Sequence, residues 1–524
     1  MNLRAFGFAG AGSRLASARE SFSYRFLQVC LLVLLLGCSP LGAIAQADSS
    51  VQPYLDRVAE QVNEFTLDNG MKFIVLERHQ APVVSFMLYA DVGAVDEPEG
   101  KTGVAHYLEH LAFKGTQQIG TEDFPAEQAL FEQMDRKFEA LLAAEATGTD
   151  EAVAKLRQEL DVLREQANAY VVQNKYGQII EQAGGVGLNA TTGADATRYF
   201  YSLPSNKLEL WMSLESERFL EPVFRQFYEE KEVILEERRM RVDNSPIGLM
   251  IETFLEEAFE TSPYGRPVIG YESDLYRVSR QDIQDFFDTY YGPSNLVAAI
   301  VGDVELATVQ QMAETYFGRF SRRPEPPAVE GNELPQQAPK EFTLELPSQP
   351  WYLEGYHRPA LTDANHVVYG IIEDLLVGGR TSRLYESLVD ESQVALDIGS
   401  INGLPGDKYP TLFLLYALTA PNHTVDELAA LLAAELEQLQ NEPVAATELE
   451  RIKTQARANL VRSLDSNQGL AARLAEYEAK TGSWRNAFTE IEAIEAVTAA
   501  DVQQVAQQLF RPENRTVGRL ISAE

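Results

Sequence analysis

The sequence predicts an α+β protein built from two similar domains, and three observations carry that prediction. The chain has 524 residues, more than a single small core serves. A helix–turn–strand pattern near the C-terminus repeats one found earlier, with Ser279 and Thr498 as equivalent positions 219 residues apart. Between the two copies lies a segment rich in proline and polar residues, Ser321 to Lys340, which reads as an interdomain linker.

The repeat is the most useful of the three. Val278–Asn295 and Val497–Asn514 share Asp, Gln, Pro and Asn at fixed spacing. In each copy a hydroxyl residue (Ser279, Thr498) precedes an amphipathic run and is followed three residues later by an acid (Asp282, Asp501). That spacing resembles a capping box. A proline turn and an apolar strand follow, Leu296–Val301 in one copy and Thr516–Ile521 in the other. The predicted domains are residues 55–320 and 341–524, each mixing helices with a sheet.

From the N-terminus, Arg4, Arg14, Arg19 and Arg25 precede the apolar run Val29–Leu36. That run is too short for a mature transmembrane helix, and residues 1–47 read as an export signal. Two exits fit. Leu35-Leu-Gly-Cys38 resembles a bacterial lipobox, which would make Cys38 a lipidated first residue and anchor the protein to a membrane. Ala45-Gln-Ala47 is a small-x-small site for ordinary signal peptidase. The expected location is the periplasm, as a lipoprotein by the first exit or a free protein by the second. The chain's two cysteines, Cys30 and Cys38, both fall in this leader, so the body has no disulfide and no thiol chemistry.

Phe65–Gly70 and Met71–Leu76 read as a hairpin, with Asn69-Gly70 as the turn. Val83–Val92 reads as the next strand and Thr102–Ala112 as a helix. Residues 126–180 carry apolar side chains at helical spacing (Leu130, Met134, Phe138, Leu141; then Val153, Leu156, Leu160, Leu163). They predict a helical-hairpin insertion with Asp150 as an N-cap. Its expected role is packing, against the alternatives of a docking arm or a lid over the site. Strands are expected near Asn189 and over Arg198–Leu203, then one long helical region from Lys207 to Met240.

The formal charge is −34 with a pI near 4.6. Such an acid excess repels phosphates and opposes nucleic-acid binding. It serves solubility, and it could also draw basic peptides toward an acidic cavity.

His106-Tyr-Leu-Glu-His110 is the centre of the functional reading. On a helix His106 and His110 stand one turn apart on one face, so two imidazoles can converge on one cation. Zinc suits neutral imidazole and takes three protein ligands plus a water in catalytic sites. Glu109, on the same side, can accept the proton of that water. The chain has only six histidines, which makes this pair with this Glu an unusual coincidence. A third ligand is needed. Glu229, Glu230, Glu232, Glu236 and Glu237 all cluster on one predicted helix. Glu230 and Glu237 are two turns apart on one face, so one could bind metal while the other orients a ligand; spacing alone does not choose.

His106-x-x-Glu109-His110 is the inverted form of the common zinc-protease motif. Its setting, Gly103–Thr116, resembles the insulinase (pitrilysin) family, near mitochondrial processing peptidase and its bacterial relatives. Gly184-Gly-Val-Gly-Leu-Asn-Ala-Thr-Thr192 with Thr197-x-Tyr199 is similar to that family's active-site edge strand. Glu230–Glu237 is similar to its last ligand helix, and Gly378–Tyr385 to a segment of its inactive domain. The resemblance implies two homologous α/β-sandwich domains, with one zinc ion per chain, in the first. It implies Glu237 as the third ligand, Glu230 as the supporting carboxylate, and Asn189 and Ala190 as backbone partners for an extended peptide. It also implies that two chains close into a chamber, as a homodimer or as a heterodimer with an inactive paralogue. The interval from His110 to Glu237 exceeds the family's usual one, and the 126–180 insertion accounts for most of the excess. Among second-domain residues, Arg380, Arg383, Tyr385, Tyr409 and Tyr416 are all open as substrate contacts. The expected function is zinc-dependent endopeptidase activity on peptides or unfolded segments. The competing readings are a non-catalytic peptide-binding or scaffold subunit and a metal hydrolase of non-peptide substrates.

Overall fold

The computed structural model of the protein describes residues 52–329 and 333–523. The export signal, both cleavage motifs, Cys30 and Cys38 lie outside the described residues.

The strands are β1 (Val62–Thr66), β2 (Lys72–Glu77), β3 (Val83–Ala90), β4 (Val186–Thr192), β5 (Thr197–Pro204), β6 (Leu296–Gly302), β7 (Lys340–Leu346), β8 (Trp351–Arg358), β9 (Ala395–Leu404), β10 (Thr411–Thr419) and β11 (Arg515–Ser522). They form two sheets, ordered β1-β2-β6-β3-β5-β4 and β7-β11-β8-β10-β9. In each sheet the strand that ends the repeat, β6 or β11, runs parallel to one neighbour and antiparallel to the other. The two sheets are therefore the same unit twice, and β4 and β9 are the equivalent free edges.

The capping boxes form as expected. Ser279 Oγ accepts from Asp282 N, Thr498 Oγ1 accepts from Asp501 N, and each acid carboxylate accepts from its cap residue's N–H at 2.8 Å. The shared asparagines do equivalent work. Asn295 donates to Tyr290 O and Asp91 O, and Asn514 donates to Leu509 O and His357 O, tying helix end to sheet in both halves. The β1–β2 hairpin closes with Gly70 at φ 99°. Asn69 is more than its turn residue: its buried amide donates to Phe317 O and Phe320 O and fastens the hairpin to the rest of the domain.

The helices that position the site are α1 (Gln52–Gln61), α2 (Val104–Leu111), α3 (Phe124–Thr147), α4 (Asp150–Asn168), α5 (Lys175–Gln182), α6 (Leu208–Leu220), α7 (Phe227–Arg238) and α8 (Pro246–Ala258). Three differ from the sequence reading. The hairpin cap is Thr149, whose hydroxyl accepts from Ala152 N, and Asp150 is the first helical residue. The hairpin ends at Asn168, and α5 is a separate helix. The long helix expected over Lys207–Met240 is two, because Pro222 lacks an N–H and holds Glu221 out of the helical region.

Each sheet is covered on one face by its own helices and on the other by a helix from the other half. Ile74, Leu76, Met87 and Tyr89 of the first sheet pack against Leu470 and Leu474 of the helix Asn467–Thr481. Leu353, Leu414 and Leu520 of the second pack against Met250 and Phe254 of α8. Burying both faces of both sheets across this exchange makes the halves one hydrophobic structure. The described linker residues ahead of β7 carry no helix or strand but are tied down. Glu333 accepts from the N–H groups of Glu260, Thr261 and Ser262, and Gln336 donates to Arg515 O.

Candidate metal centre

The site is assembled from α2, α7 and the edge strand β4. α2 begins at Gly103, which sits at φ 86°, a conformation open to glycine. The N–H groups of Gly103 and Ala105 donate to the buried carboxylate of Glu97, at 2.9 and 2.8 Å. Tyr107, Leu108 and Leu111 point into the core, and the Tyr107 hydroxyl donates to Phe227 O, binding α2 to the start of α7. The opposite face of α2 is left to His106, Glu109 and His110.

Among the described residues, His106, His110 and Glu237 form a group whose ligand atoms all lie within 4.8 Å of one another. Glu237 Oε2 stands 3.8 Å from His106 Nε2 and 3.6 Å from His110 Nε2. Ligands about 2.0–2.1 Å from a tetrahedral zinc stand roughly 3.3 Å apart, so the spacing matches such a shell after a small contraction. Glu230 Oε2 lies 3.1 Å from His110 Nδ1, and its other oxygen lies 2.5 Å from Lys114 Nζ. A carboxylate there places the imidazole proton on Nδ1 and leaves the Nε2 lone pair facing Glu237. Burial, with His110 and Arg241 nearby, lowers His106 to about 3, so this ring is neutral. Its Nδ1 is buried with no hydrogen-bond partner. The Nε2 atoms of both imidazoles and a carboxylate oxygen thus converge on one point. Such a group can hold a cation, and the donor set (two nitrogens, one carboxylate) suits zinc.

The other glutamates separate cleanly. Glu229 bonds Asn168, Glu236 pairs with Arg239, and Glu232 is exposed. Glu237 Oε1 is 2.8 Å from Arg241 one turn on, which steadies the carboxylate. Glu109 accepts from the Thr192 hydroxyl at 2.5 Å. Burial raises its pKa, and the Thr192 bond offsets part of that rise. Glu230 behaves oppositely: burial alone would raise it, but His110 and Lys114 hold it below the ordinary carboxylate value.

Asn189 and Ala190 lie on β4, the free edge of the first sheet. The Ala190 N–H is taken by the Asn189 side chain at 2.9 Å, so an incoming strand would have to displace that amide. In the second half, Arg383 is bound by Glu448, Tyr409 packs edge-on to Tyr264, and Tyr416 packs against Trp351. The sequence reading missed four participants: Glu97, Lys114, Thr192 and Arg241. Lys114 and Arg241 carried a signal, each lying one helical turn beyond a proposed ligand. Thr192 stood in the quoted edge-strand motif. Glu97 carried none, because a capping carboxylate six residues ahead of its helix follows no common spacing.

A recess of about 420 Å³ opens beside His110 and Glu109, walled by Phe113, Lys114, the segment 171–175, Gln226 and Glu230.

Comparison with known proteins identifies the family of the chain. The family model described as insulinase (peptidase family M16) matches residues 72–154 and 165–272, and the model described as the peptidase M16 inactive domain matches residues 277–456. The chain is 26% identical over 463 residues to the zinc protease PqqE of Helicobacter pylori, covering 86% of this chain and 90% of that protein. It is similar to the crystal structure of a protease from Helicobacter pylori, with a TM-score of 0.74, 25% identity, and coverage of 88% of this chain and 99% of that one. The periplasmic protease PqqL from Escherichia coli shares the fold at a TM-score of 0.66 and 17% identity, over 88% of this chain and 48% of that one.

Proposed function

The chain belongs to the insulinase family, peptidase family M16, and on that premise we propose that it is an exported zinc-dependent endopeptidase that hydrolyses peptides or unfolded protein segments. The observation that carries the reading is the convergence of His106, His110 and Glu237 beside a half-buried, hydroxyl-anchored Glu109. Zinc held by those three residues would supply a water acidic enough to deprotonate near neutrality and a positive charge to polarise the scissile carbonyl. The rest is done by this chain. Glu109 accepts the proton of the attacking water and passes it to the leaving amine. Its raised pKa suits that double duty, because a base that must also act as an acid works best near the operating pH. Thr192 holds the carboxylate in place from β4. The edge of β4, through Asn189 and Ala190, binds the peptide as an added strand, which favours extended, unfolded substrates. Glu230 keeps His110 in the ligating tautomer.

The working form is proposed to be a chamber closed by a second chain, either a copy or an inactive paralogue. Val186, Val233 and Met240, on elements around the site, expose apolar side chains that such a partner would cover. Among the described residues no helix is long and apolar enough to cross a membrane. A periplasmic location, with or without a lipid at Cys38, rests on the leader.

The test is zinc content together with cleavage of a quenched fluorescent peptide library by the wild type and by Glu109→Gln. The wild type is expected to hold about one zinc per chain. The variant should keep the metal and lose on the order of 10²–10⁴ in turnover. Zinc without cleavage, alone and with a co-purified paralogue, would move the reading to a peptide-binding subunit. Absence of metal would remove its basis.

A further inference from the structure

The recess beside His110 has features that metal binding alone does not explain. Its 420 Å³ is within the range of pockets that hold small ligands. Its floor is shared with Glu109 and His110, so a peptide whose carbonyl lies at the triad must place a flanking side chain in it or across its mouth. Phe113, Val171 and Val172 give the walls an apolar character suited to a methylene stem. The charges around it are mostly accounted for. Glu230 is held between His110 and Lys114, and Glu109 is bonded to Thr192. Lys175 is the exception: it lines the recess and takes part in no ion pair among the described residues. Two residues of the lining, Asn174 and Gln226, also hold positive φ (51° and 55°) without being glycine. Such conformations persist where the surrounding structure enforces them, and they cluster at ligand-binding sites.

We infer that this recess receives the substrate side chain next to the scissile bond and that Lys175 selects a carboxylate there, giving a preference for glutamate; the inference rests on the peptidase reading above. A glutamate stem lies along Phe113 and the two valines while its carboxylate meets the unpaired ammonium. Lysine or arginine at the same position would meet Lys175 with like charge, and the recess acids that could welcome it are already engaged. The protein's overall acidity thus works in the opposite sense to its local preference at this one position.

Peptides identical except for Glu, Gln or Lys on either side of the cleaved bond test this, with cleavage sites read by mass spectrometry. The wild type should favour Glu over Gln by about tenfold in kcat/KM at one flank, as a charge-assisted contact in a partly desolvated pocket implies. Lys175→Met should bring that ratio close to one, and Lys175→Glu should reverse the order so that Lys outranks Glu. Binding of the same peptides to Glu109→Gln, with and without Lys175→Met, should show the same ratio in Kd without turnover. A Glu-to-Gln ratio near one in the wild type, or a preference untouched by either Lys175 substitution, overturns the inference and leaves the peptidase reading standing. Absence of cleavage of every peptide overturns both.

Discussion

Replacing Glu230 by glutamine removes one charge and almost no volume, and it separates the two carboxylates of α7 by role. In the structure Glu230 is 8% exposed, with one oxygen 3.1 Å from His110 Nδ1 and the other 2.5 Å from Lys114 Nζ. Both contacts are charge-assisted, and the first fixes which nitrogen of His110 carries the proton. Glutamine keeps one acceptor, but it loses the charge that makes the imidazole a better base and offers Lys114 or His110 an NH₂ in place of an oxygen. Loss of such an orienting partner typically weakens metal binding by 10- to 100-fold, or about 1.4–2.7 kcal/mol. The assay is competition for zinc against a chelator of known affinity, with thermal melting of the metal-free proteins as a control for folding. Glu237→Gln should lose more, because it removes a ligand. Glu236→Gln should lose nothing, because that side chain is exposed and paired only with Arg239. Wild-type zinc affinity in Glu230→Gln, alongside a weakened Glu237→Gln, would refute the argument that this carboxylate holds His110 in its ligating form.

Two further predictions concern the frame around the site. Arg225 is buried and donates to both oxygens of Glu127 and to the carbonyls of Lys114, Thr116 and Ile119, joining the segment after α2 to α3. Arg225→Met should destabilise the protein by roughly 3–5 kcal/mol, because it leaves Glu127 buried without its partner. Adding Glu127→Leu should restore part of that loss, and a double mutant as unstable as the single one in thermal melts would contradict it. Burial pushes Glu97 up to about 8 and the neighbouring Asp96 up to about 7. A carboxyl group whose pKa is higher in the folded than in the unfolded state favours folding fully below the unfolded pKa, and that contribution is lost as pH rises through the folded value. Stability should therefore fall between about pH 5 and pH 8, and Glu97→Gln should flatten the slope. A melting temperature with the same pH dependence in both proteins would exclude Glu97 as its source.

The chemistry was more legible than the frame that holds it. His106, Glu109 and His110 announced themselves because helical periodicity converts spacing into a shared face. The choice among five glutamates did not, because position on α7 is readable from sequence while the direction of α2 is not. Contact between the two helices singles out Glu237, with Glu230 behind His110. The split between α6 and α7 was written in Pro222, a local signal that the surrounding helical periodicity masked. The repeat was read over its last third, where a capping box, a proline and an asparagine recur together. It extends further in the structure. Ser245 caps α8 by accepting from Gly248 N, and Ser466 caps the equivalent helix by accepting from Gly469 N. Each glycine is needed: a Cβ would come within 1.9 Å of Arg241 O in one half and 2.3 Å of Ser463 O in the other. The shared Ser-x-x-Gly was present in the sequence, but a four-residue pattern with two free positions carries too little information without the packing that demands it.

The duplicated architecture also shows how the half without the candidate metal centre differs from the half that has it. In the helix Ala446–Ser463 the buried Lys453, which donates to Glu495 O, is the counterpart of the buried Lys231 of α7, which donates to Tyr276 O, so Ile452 and Asn459 stand where the first half has Glu230 and Glu237. Ile452 is buried in the second core, and Asn459 is exposed. The helix His366–Val377, which packs beside the second sheet, buries Val368, Ile372 and Leu376 and presents no second imidazole pair. Where the first half turns three ligand atoms toward one point, the second has a buried isoleucine and an exposed asparagine. The second half in turn supplies the helix that covers the far face of the first sheet, behind β3 and β6. Its Asp407 and Lys408 N–H groups also bind Asp195, at 2.8 and 3.1 Å, on the turn between β4 and β5. Thr192, which holds Glu109, lies three residues before Asp195. The second domain is thus a structural partner of the edge strand beside the candidate site.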